Sequence, residues 1–319
     1  MPLIQGAGVI LPLQDPTPPT DSLLMPSFKV QPPGGDDSTN IEWQLGGRFI
    51  PQNCQAAFAR AINCEAGGPQ IEVDCDGCDS CDDEIEIDPI EIFQPICGTA
   101  RTSNGGKVYK DRAEKLLKAT SHKTVEHAVW TGHQQDGTTA LEGVQSLTDP
   151  VALGLDDRIL AGGAAQSAYN GIDAMIQYAA TYGTGGPAMF HVSPSLASKW
   201  VRSGDVVRQG GRLKTIIGDH TVVPGAGYTG SGAGNTPTGV DTLQWAYVTS
   251  PIFWWASDIE HVESGAANEP VSSLNRVSFD GFDHLQNQYI SIARQTFLLW
   301  RDDCLHAGVL IDLTSSAGV

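Results

Sequence analysis

The chain has 319 residues, with 37 Asp plus Glu against 19 Lys plus Arg and a formal net charge of −18. Hydrophobic residues make up 40%, enough to fill a core, so wholesale disorder is excluded, and the length suits one elaborate domain or two ordinary ones. So large a negative surplus also excludes sequence-reading of DNA, because Lys and Arg on phosphate supply most nucleic-acid affinity. There is no run of about 18 apolar residues that would mark a membrane helix, and the start MPLIQGAGVILPLQDP lacks the basic region and cleavage site of a secretory signal. A chain made and kept in the cytosol is expected.

Residues 1–40 are Pro-rich, with short apolar bursts (Leu3-Ile4, Val9-Ile10-Leu11, Leu23-Leu24-Met25). No periodicity lasts long enough for a core helix, so this stretch is predicted to be an arm that takes its order from another subunit. From Ile41 to Cys97 short β-rich pieces (Phe49-Ile50, Ile71-Glu72-Val73, Ile85-Glu86-Ile87, Ile90-Glu91-Ile92-Phe93) alternate with Gly, Pro and Asn, as in a hairpin-like excursion. Glu72 to Glu91 holds ten carboxylates and no Lys or Arg, which leaves only eight excess negative charges on the rest of the chain. Carboxylates this dense cannot be buried cheaply, so the segment must face water, a cation or a basic partner.

That segment contains Cys75, Cys78 and Cys81, with Cys54 and Cys64 before it and Cys97 and Cys304 after it. Three close thiols without a second CxxC or HxxxH fall short of a zinc site, and Asp74-x-Asp76-Gly77 does not continue into a calcium loop. A bound metal, a disulfide formed in an oxidising medium and free thiols on a solvated loop all stay open, the last being the simplest.

A long helix is predicted over 107–130, with Ala113, Leu116/Leu117, Thr120, Thr124 and Ala128 on its inner face. A second is predicted over 156–182, opened by Asp156-Asp157 at the positive end of the helix dipole. Ala188 to Val192 reads as a buried strand. Ser193-Pro194 then reads as cap and first residue of a short helix stopped at Gly204. Further strands are predicted at Thr215–Ile217, Thr221–Val223, Trp245–Val248, Pro251–Ala256, Gln288–Leu298 and Gly308–Ile311, with a mobile Gly-rich loop over 225–239. The class is α+β.

Catalytic constellations are not found. His191-Val192-Ser193 is too local for a triad and no orienting acid is identifiable. Gly225-Ala226-Gly227 and Gly105-Gly106-Lys107 match neither a dinucleotide nor a phosphate loop. His122 and His127 are five apart on the long helix and read as solvated or core-edge residues. Trp254 and Trp255 read as strand residues, one inward and one outward. No catalytic, cofactor-binding or metal site is predicted.

Several stretches, taken in order, do resemble a known family. Arg112 to Ala119 with Ser121, Val125-Glu126 and Trp130-Thr131-Gly132 resembles the long helix of major capsid proteins of tailed phages, especially those of actinobacterial hosts. Phe49 to Cys54, Phe190 to Pro194, Val222 to Tyr228, Trp245 to Thr249 and Cys304 to Val309 follow in the order that group shows. Together they span about Phe49 to Leu313, and their order carries more weight than any one of them.

The resemblance implies the Hong Kong 97 phage-type fold: an N-terminal arm (1–40), an extended loop with the acidic excursion (41–98), a peripheral domain (99–149 and 256–319) with its spine helix at about 107–130, and an axial domain (150–255). It also implies a structural protein, not an enzyme, that assembles as hexamers and pentamers into an icosahedral shell around double-stranded DNA enclosed without sequence-specific binding. The implied location is the virion, after assembly in the host cytoplasm. The implied partners are further copies of the chain, a scaffolding protein, and minor capsid or portal proteins, with no membrane. Some relatives weld their shells by a Lys–Asn isopeptide bond from the extended loop. This chain has no lysine between Lys29 and Lys107, so no such cross-link is expected. Two other readings compete: an encapsulin-like nanocompartment, separated by protein cargo in place of DNA, and a metal-dependent enzyme built on the acidic thiol cluster, separated by stoichiometric zinc on small particles.

Overall fold

The computed structural model describes residues 22–24, 27–29, 47–49, 85–98, 105–134, 139–141, 143–149, 153, 158–183, 186–262, 282–283, 288–301 and 305–315. Most of the predicted arm, the run Ile71-Glu72-Val73, the acidic stretch up to Glu84, Asp156-Asp157, and Cys54, Cys64, Cys75, Cys78, Cys81 and Cys304 lie outside the described residues.

In chain order the elements begin with β1 (Phe28–Lys29), β2 (Gly47–Phe49), β3 (Ile85–Ile87), β4 (Ile90–Gly98) and α1 (Gly105–Thr131). A 3-10 turn at Leu160–Gly163 precedes β5 (Gln166–Ser167), α2 (Ala168–Tyr182), β6 (Met189–Val192) and α3 (Pro194–Ser203). Then come β7 (Val206–Gln209), β8 (Arg212–Thr215), β9 (Thr221–Pro224), β10 (Leu243–Thr249) and β11 (Ile252–Ala256), followed by β12 (Glu260–Val262), β13 (Phe282–Asp283), β14 (Gln288–Arg301) and β15 (His306–Asp312). The mixture of helix and sheet is the class the sequence predicts.

The chain divides into two compact units, one of Met1–Pro18, Gln94–Thr120 and His261–Ala293, the other of Pro19–Phe93, Ser121–Glu260 and Arg294–Val319. In the first, Lys118 and Glu114 form an exposed ion pair one helical turn apart at 2.7 Å, and β13 runs antiparallel to the start of β14, Phe282 opposite Tyr289.

The second unit is built on a seven-stranded sheet in the order β5-β15-β10-β6-β9-β8-β7. Its central strand β6 is buried along its whole length, as expected of an apolar run covered on both faces. Helix α2 presents Ala168, Ile172, Met175 and Ala179 to this sheet at three- and four-residue spacing. Helix α3 adds Leu196, Ala197 and Trp200, and the Trp200 indole N–H donates to the Ala168 carbonyl at 2.8 Å, tying the two helices together. A separate ladder pairs β11 with β14, Ile252 opposite Arg301 through Ala256 opposite Phe297. A further antiparallel pair joins β2 with β3, Gly47 opposite Ile87 through Phe49 opposite Ile85.

Five expectations change. The long helix forms, but its buried stripe runs Ala113, Leu117, Ser121, Val125 and Ala128, not through Thr120 and Thr124. Thr120 stays exposed and turns its hydroxyl back onto the Leu116 carbonyl at 2.9 Å.

The second helix starts at Ala168 rather than 156, because Ala161, Gly162 and Gly163 all hold positive φ, which stops an α-helix, and Ser167 caps the new start by accepting from the Asn170 N–H at 3.2 Å.

The strand predicted at Thr215–Ile217 ends at Thr215, since positive φ at Gly218 and Asp219 turns the chain there and leaves Ile216 and Ile217 62% and 64% exposed.

The Leu23-Leu24 burst, predicted to seek another subunit, is buried within its own chain.

Trp254 and Trp255 are both half-buried, one beside Phe297 and the other edge-on to Trp300, because aromatic side chains of β14 cover both faces of β11.

Candidate functional site

The densest chemistry lies where the last turns of α1 meet the seven-stranded sheet. Glu126 is 1% exposed, an expensive place for a carboxylate unless donors surround it. The Leu23 N–H donates to its Oε1 at 2.9 Å and the Gly227 N–H to its Oε2 at 3.0 Å. Burial pushes its pKa up, while the amides of Leu23, Gly227 and Ala226 pull it back. The Gly225-Ala226-Gly227 turn thus cradles a carboxylate of its own chain. A Cβ on Gly227 would lie 2.2 Å from the Lys123 carbonyl oxygen and 2.6 Å from the His127 nitrogen, so only glycine lets the loop touch the helix this closely.

One turn further, Trp130 is fully buried. Its indole N–H donates to Ser231 Oγ at 3.0 Å, and Ser231 Oγ donates to Asn235 Oδ1 at 2.7 Å. Its ring lies 4.7 Å from Tyr228 and edge-on to Tyr247 at 5.0 Å, geometries that stabilise beyond simple burial. The Tyr247 hydroxyl donates to the Ser231 carbonyl at 2.9 Å. The loop over 225–239, predicted to be mobile, is therefore pinned along its first half by Glu126, Trp130 and Tyr247, and Tyr228 and Ser231 are buried. The end of the helix is pinned as well: Leu147 and Thr148 N–H groups donate to the Val129 and Trp130 carbonyls at 2.8 and 3.2 Å, satisfying acceptors that a helix terminus leaves open.

The histidines follow a consistent proton assignment. Thr249 donates its hydroxyl to the Ser250 carbonyl at 2.8 Å, so it accepts from His191 Nε2–H at 2.8 Å. His191 Nδ1 then accepts from the Tyr228 hydroxyl at 2.9 Å. His191 is neutral, its pKa pushed down to about 3 by burial and, less strongly, by the positive charge of Arg301. His306 donates Nε2–H to the Leu147 carbonyl at 3.0 Å and is likewise held well below its ordinary value by burial and by Arg301. The buried Arg301 guanidinium donates to the carbonyls of Gln145 and Ser146 at 2.9 and 3.0 Å. Burial pushes the Tyr228 phenol up, and the Glu126 charge adds to that rise.

Both nitrogens of His191 are committed beneath Tyr228, and Ser193 caps α3 instead of approaching His191. The chemistry of this arrangement is mechanical: a cross-brace of buried hydrogen bonds that holds helix, loop and sheet in one geometry. Among the described residues no group of three or more His, Cys, Asp or Glu is placed to hold a metal, and no helix is long and apolar enough to cross a membrane. Of the histidines singled out by sequence, His122 is half-buried against Ser22 Oγ at 2.9 Å and His127 lies at the core edge. Sequence reasoning missed the burial of Glu126 and the meeting of Trp130, Tyr228 and Tyr247. The signal was there in part: a carboxylate between Val125 and Ala128 on the apolar face, and a glycine pair able to approach it.

No protein-family model and no curated protein matches the chain. Its neighbours among solved structures are phage capsid proteins and an encapsulin. The structure of Mycobacterium phage Ogopogo matches at 12% identity and a TM-score of 0.48, covering 95% of this chain and 94% of that one. The capsid of Ralstonia phage GP4 matches at 10% and 0.47, covering 100% and 98%. The holo-SrpI encapsulin complex from Synechococcus elongatus PCC 7942 matches at 12% and 0.43, covering 76% and 82%.

Proposed function

We propose that this chain is a major capsid protein, a structural subunit that assembles as hexamers and pentamers into an icosahedral phage head around double-stranded DNA, and that it turns over no substrate. The parts are those the sequence resemblance implies: arm at 1–40, extended loop at 41–98, peripheral domain at 99–149 and 256–319, spine in the long helix, axial domain at 150–255. The observation that carries this is a convergence. Glu126 and Trp130, His191, Tyr228, Tyr247 and Thr249, and His306 belong to separate stretches that resemble capsid proteins, and they meet in a single cross-brace.

A shell gathers affinity from many weak contacts, and such contacts add up only between subunits of fixed shape. Residues reserved for bracing fit that demand. A separate scaffolding protein and minor capsid or portal proteins are the further partners of this reading. The test is expression of the full chain, with and without neighbouring head genes, followed by negative-stain microscopy. Hollow icosahedral shells are expected, with nuclease-protected DNA in particles from infected cells. A compact monomer that stays single at high concentration overturns the proposal, and shells holding protein cargo instead of DNA favour the nanocompartment.

A further inference from the structure

The seven-stranded sheet ends at β7, which pairs with β8 on one side and has no other strand beside it among the described residues. An uncovered strand edge offers unpaired backbone donors and acceptors to any extended chain. The register places Val207 opposite Lys214 and Gln209 opposite Arg212, and the Ile216 N–H continues the pairing to the Asp205 carbonyl at 3.1 Å. One face of the hairpin therefore carries Val207 and Ile216, which are 41% and 62% exposed, together with Gln209, Lys214 and Arg212. On the other face Val206 packs with Trp200 of α3 in the core, and Arg208, which shares that face, is exposed. Arg202 follows in the exposed last turn of α3.

In a chain of net charge −18, residues 199–214 hold five basic residues and one acid, with Lys214 paired to Asp219 just beyond them. The complement lies in the same chain. Residues 70–84, outside the described residues, carry seven carboxylates and no base, and begin with the alternating run Ile71-Glu72-Val73-Asp74. The run is four residues long, as is β7. In an added strand, Ile71 and Val73 would lie on the face of Val207, and Glu72 and Asp74 on the face of Arg208 and Arg202.

We infer that the free edge of β7 docks residues 70–84 of a second copy of this chain, by strand addition at 71–74 and by attraction of the following carboxylates to the basic rim. The inference rests on the shell-subunit reading and names one contact within it. A nucleic-acid ligand would also answer the basic charge, but a phosphate backbone offers neither strand pairing for the β7 edge nor an apolar counterpart for Val207 and Ile216.

The test has two arms. In the first, a fluorescein-labelled peptide of residues 70–84, with serine for its three cysteines, is titrated with the full chain by anisotropy. Binding is expected that weakens as salt rises from ~50 mM to ~0.5 M and falls about tenfold in Arg202→Glu/Arg208→Glu; both positions are solvent-facing. Failure to bind, indifference to the double reversal, or displacement of the peptide by a short DNA duplex at lower concentration overturns the inference. In the second, a photoreactive benzoylphenylalanine at position 207 is irradiated in an assembled mixture of light and 15N-labelled chains. Light-to-heavy cross-links into 70–84 are expected, and links only within one chain, or to other segments, overturn it. Because the peptide arm needs no shell, a chain that binds the peptide yet builds no particles sinks the shell reading alone, and shells without peptide binding sink the docking alone.

Discussion

Gly227 and His191 show how single residues carry the brace. Alanine at 227 would drive a methyl group into helix backbone, at 2.2 Å from the Lys123 oxygen, and backbone cannot rotate out of the way as a side chain can. Gly227→Ala is therefore expected to cost about 3 kcal/mol, seen as a lower urea midpoint of the unassembled chain; an unchanged midpoint would contradict the close approach. His191 makes the fold sensitive to acid. Its pKa falls from 6.5 to about 3 on folding, so between those values the unfolded chain takes up a proton that the folded chain refuses. Its contribution is complete above pH 6.5 and is lost as pH falls toward 3, at about 1.4 kcal/mol per pH unit. His306, shifted the same way, adds to the loss. Glu126, raised by burial, acts with the opposite sign, favouring the folded chain as it protonates. Stability measured from pH 6 to pH 4 is expected to fall, and His191→Gln to remove about one proton from the slope; parallel slopes would show that His191 titrates normally. That Glu126 belongs to this brace was not legible in sequence, because its donors, Leu23 and Gly227, stand about a hundred positions away on either side.

Among the elements, β6 and α3 were legible almost to the residue. Their signals are local: an apolar run, a serine whose oxygen accepts from the Leu196 N–H at 3.3 Å, a proline at the first helical position and Gly204 in the left-handed region. Ser193→Ala is expected to destabilise by about 1 kcal/mol through loss of that cap, read as a downward shift in thermal midpoint. No shift would mean that the bond from the Leu196 N–H to the Ser193 hydroxyl adds nothing measurable to stability. The start of α2 was misread because Asp156-Asp157 is a good opening signal on its own, whereas three successive positive φ values at Ala161–Gly163 are a response to the surrounding fold. The β7–β8 hairpin was missed because its strands are four residues each and carry charges, so no apolar alternation announces them.

For the whole molecule, the absence of lysine between Lys29 and Lys107 removes the donor of a loop-borne isopeptide weld. Particles boiled in reductant are expected to run as one band near 33.9 kDa on a denaturing gel, and a ladder of multiples would refute this. Replacing Cys75, Cys78 and Cys81 by serine is expected to leave assembly yield unchanged, since the docking inferred for that stretch depends on carboxylates and strand pairing, not on sulfur. A loss of shells in the triple variant would return metal or disulfide to consideration.

Short-range physics accounts for what could be read locally: the mixed class, the long helix, the capped α3, the apolar strands and the charge imbalance all follow from residues a few positions apart. Tertiary structure alone decided that Leu23 and Leu24 are buried at home, that the glycine-rich loop is pinned, and that two neutral histidines and a buried carboxylate share one brace. Those outcomes depend on whether groups far apart in the chain can satisfy one another's hydrogen bonds once water is excluded, and no local pattern encodes which distant donor will be there.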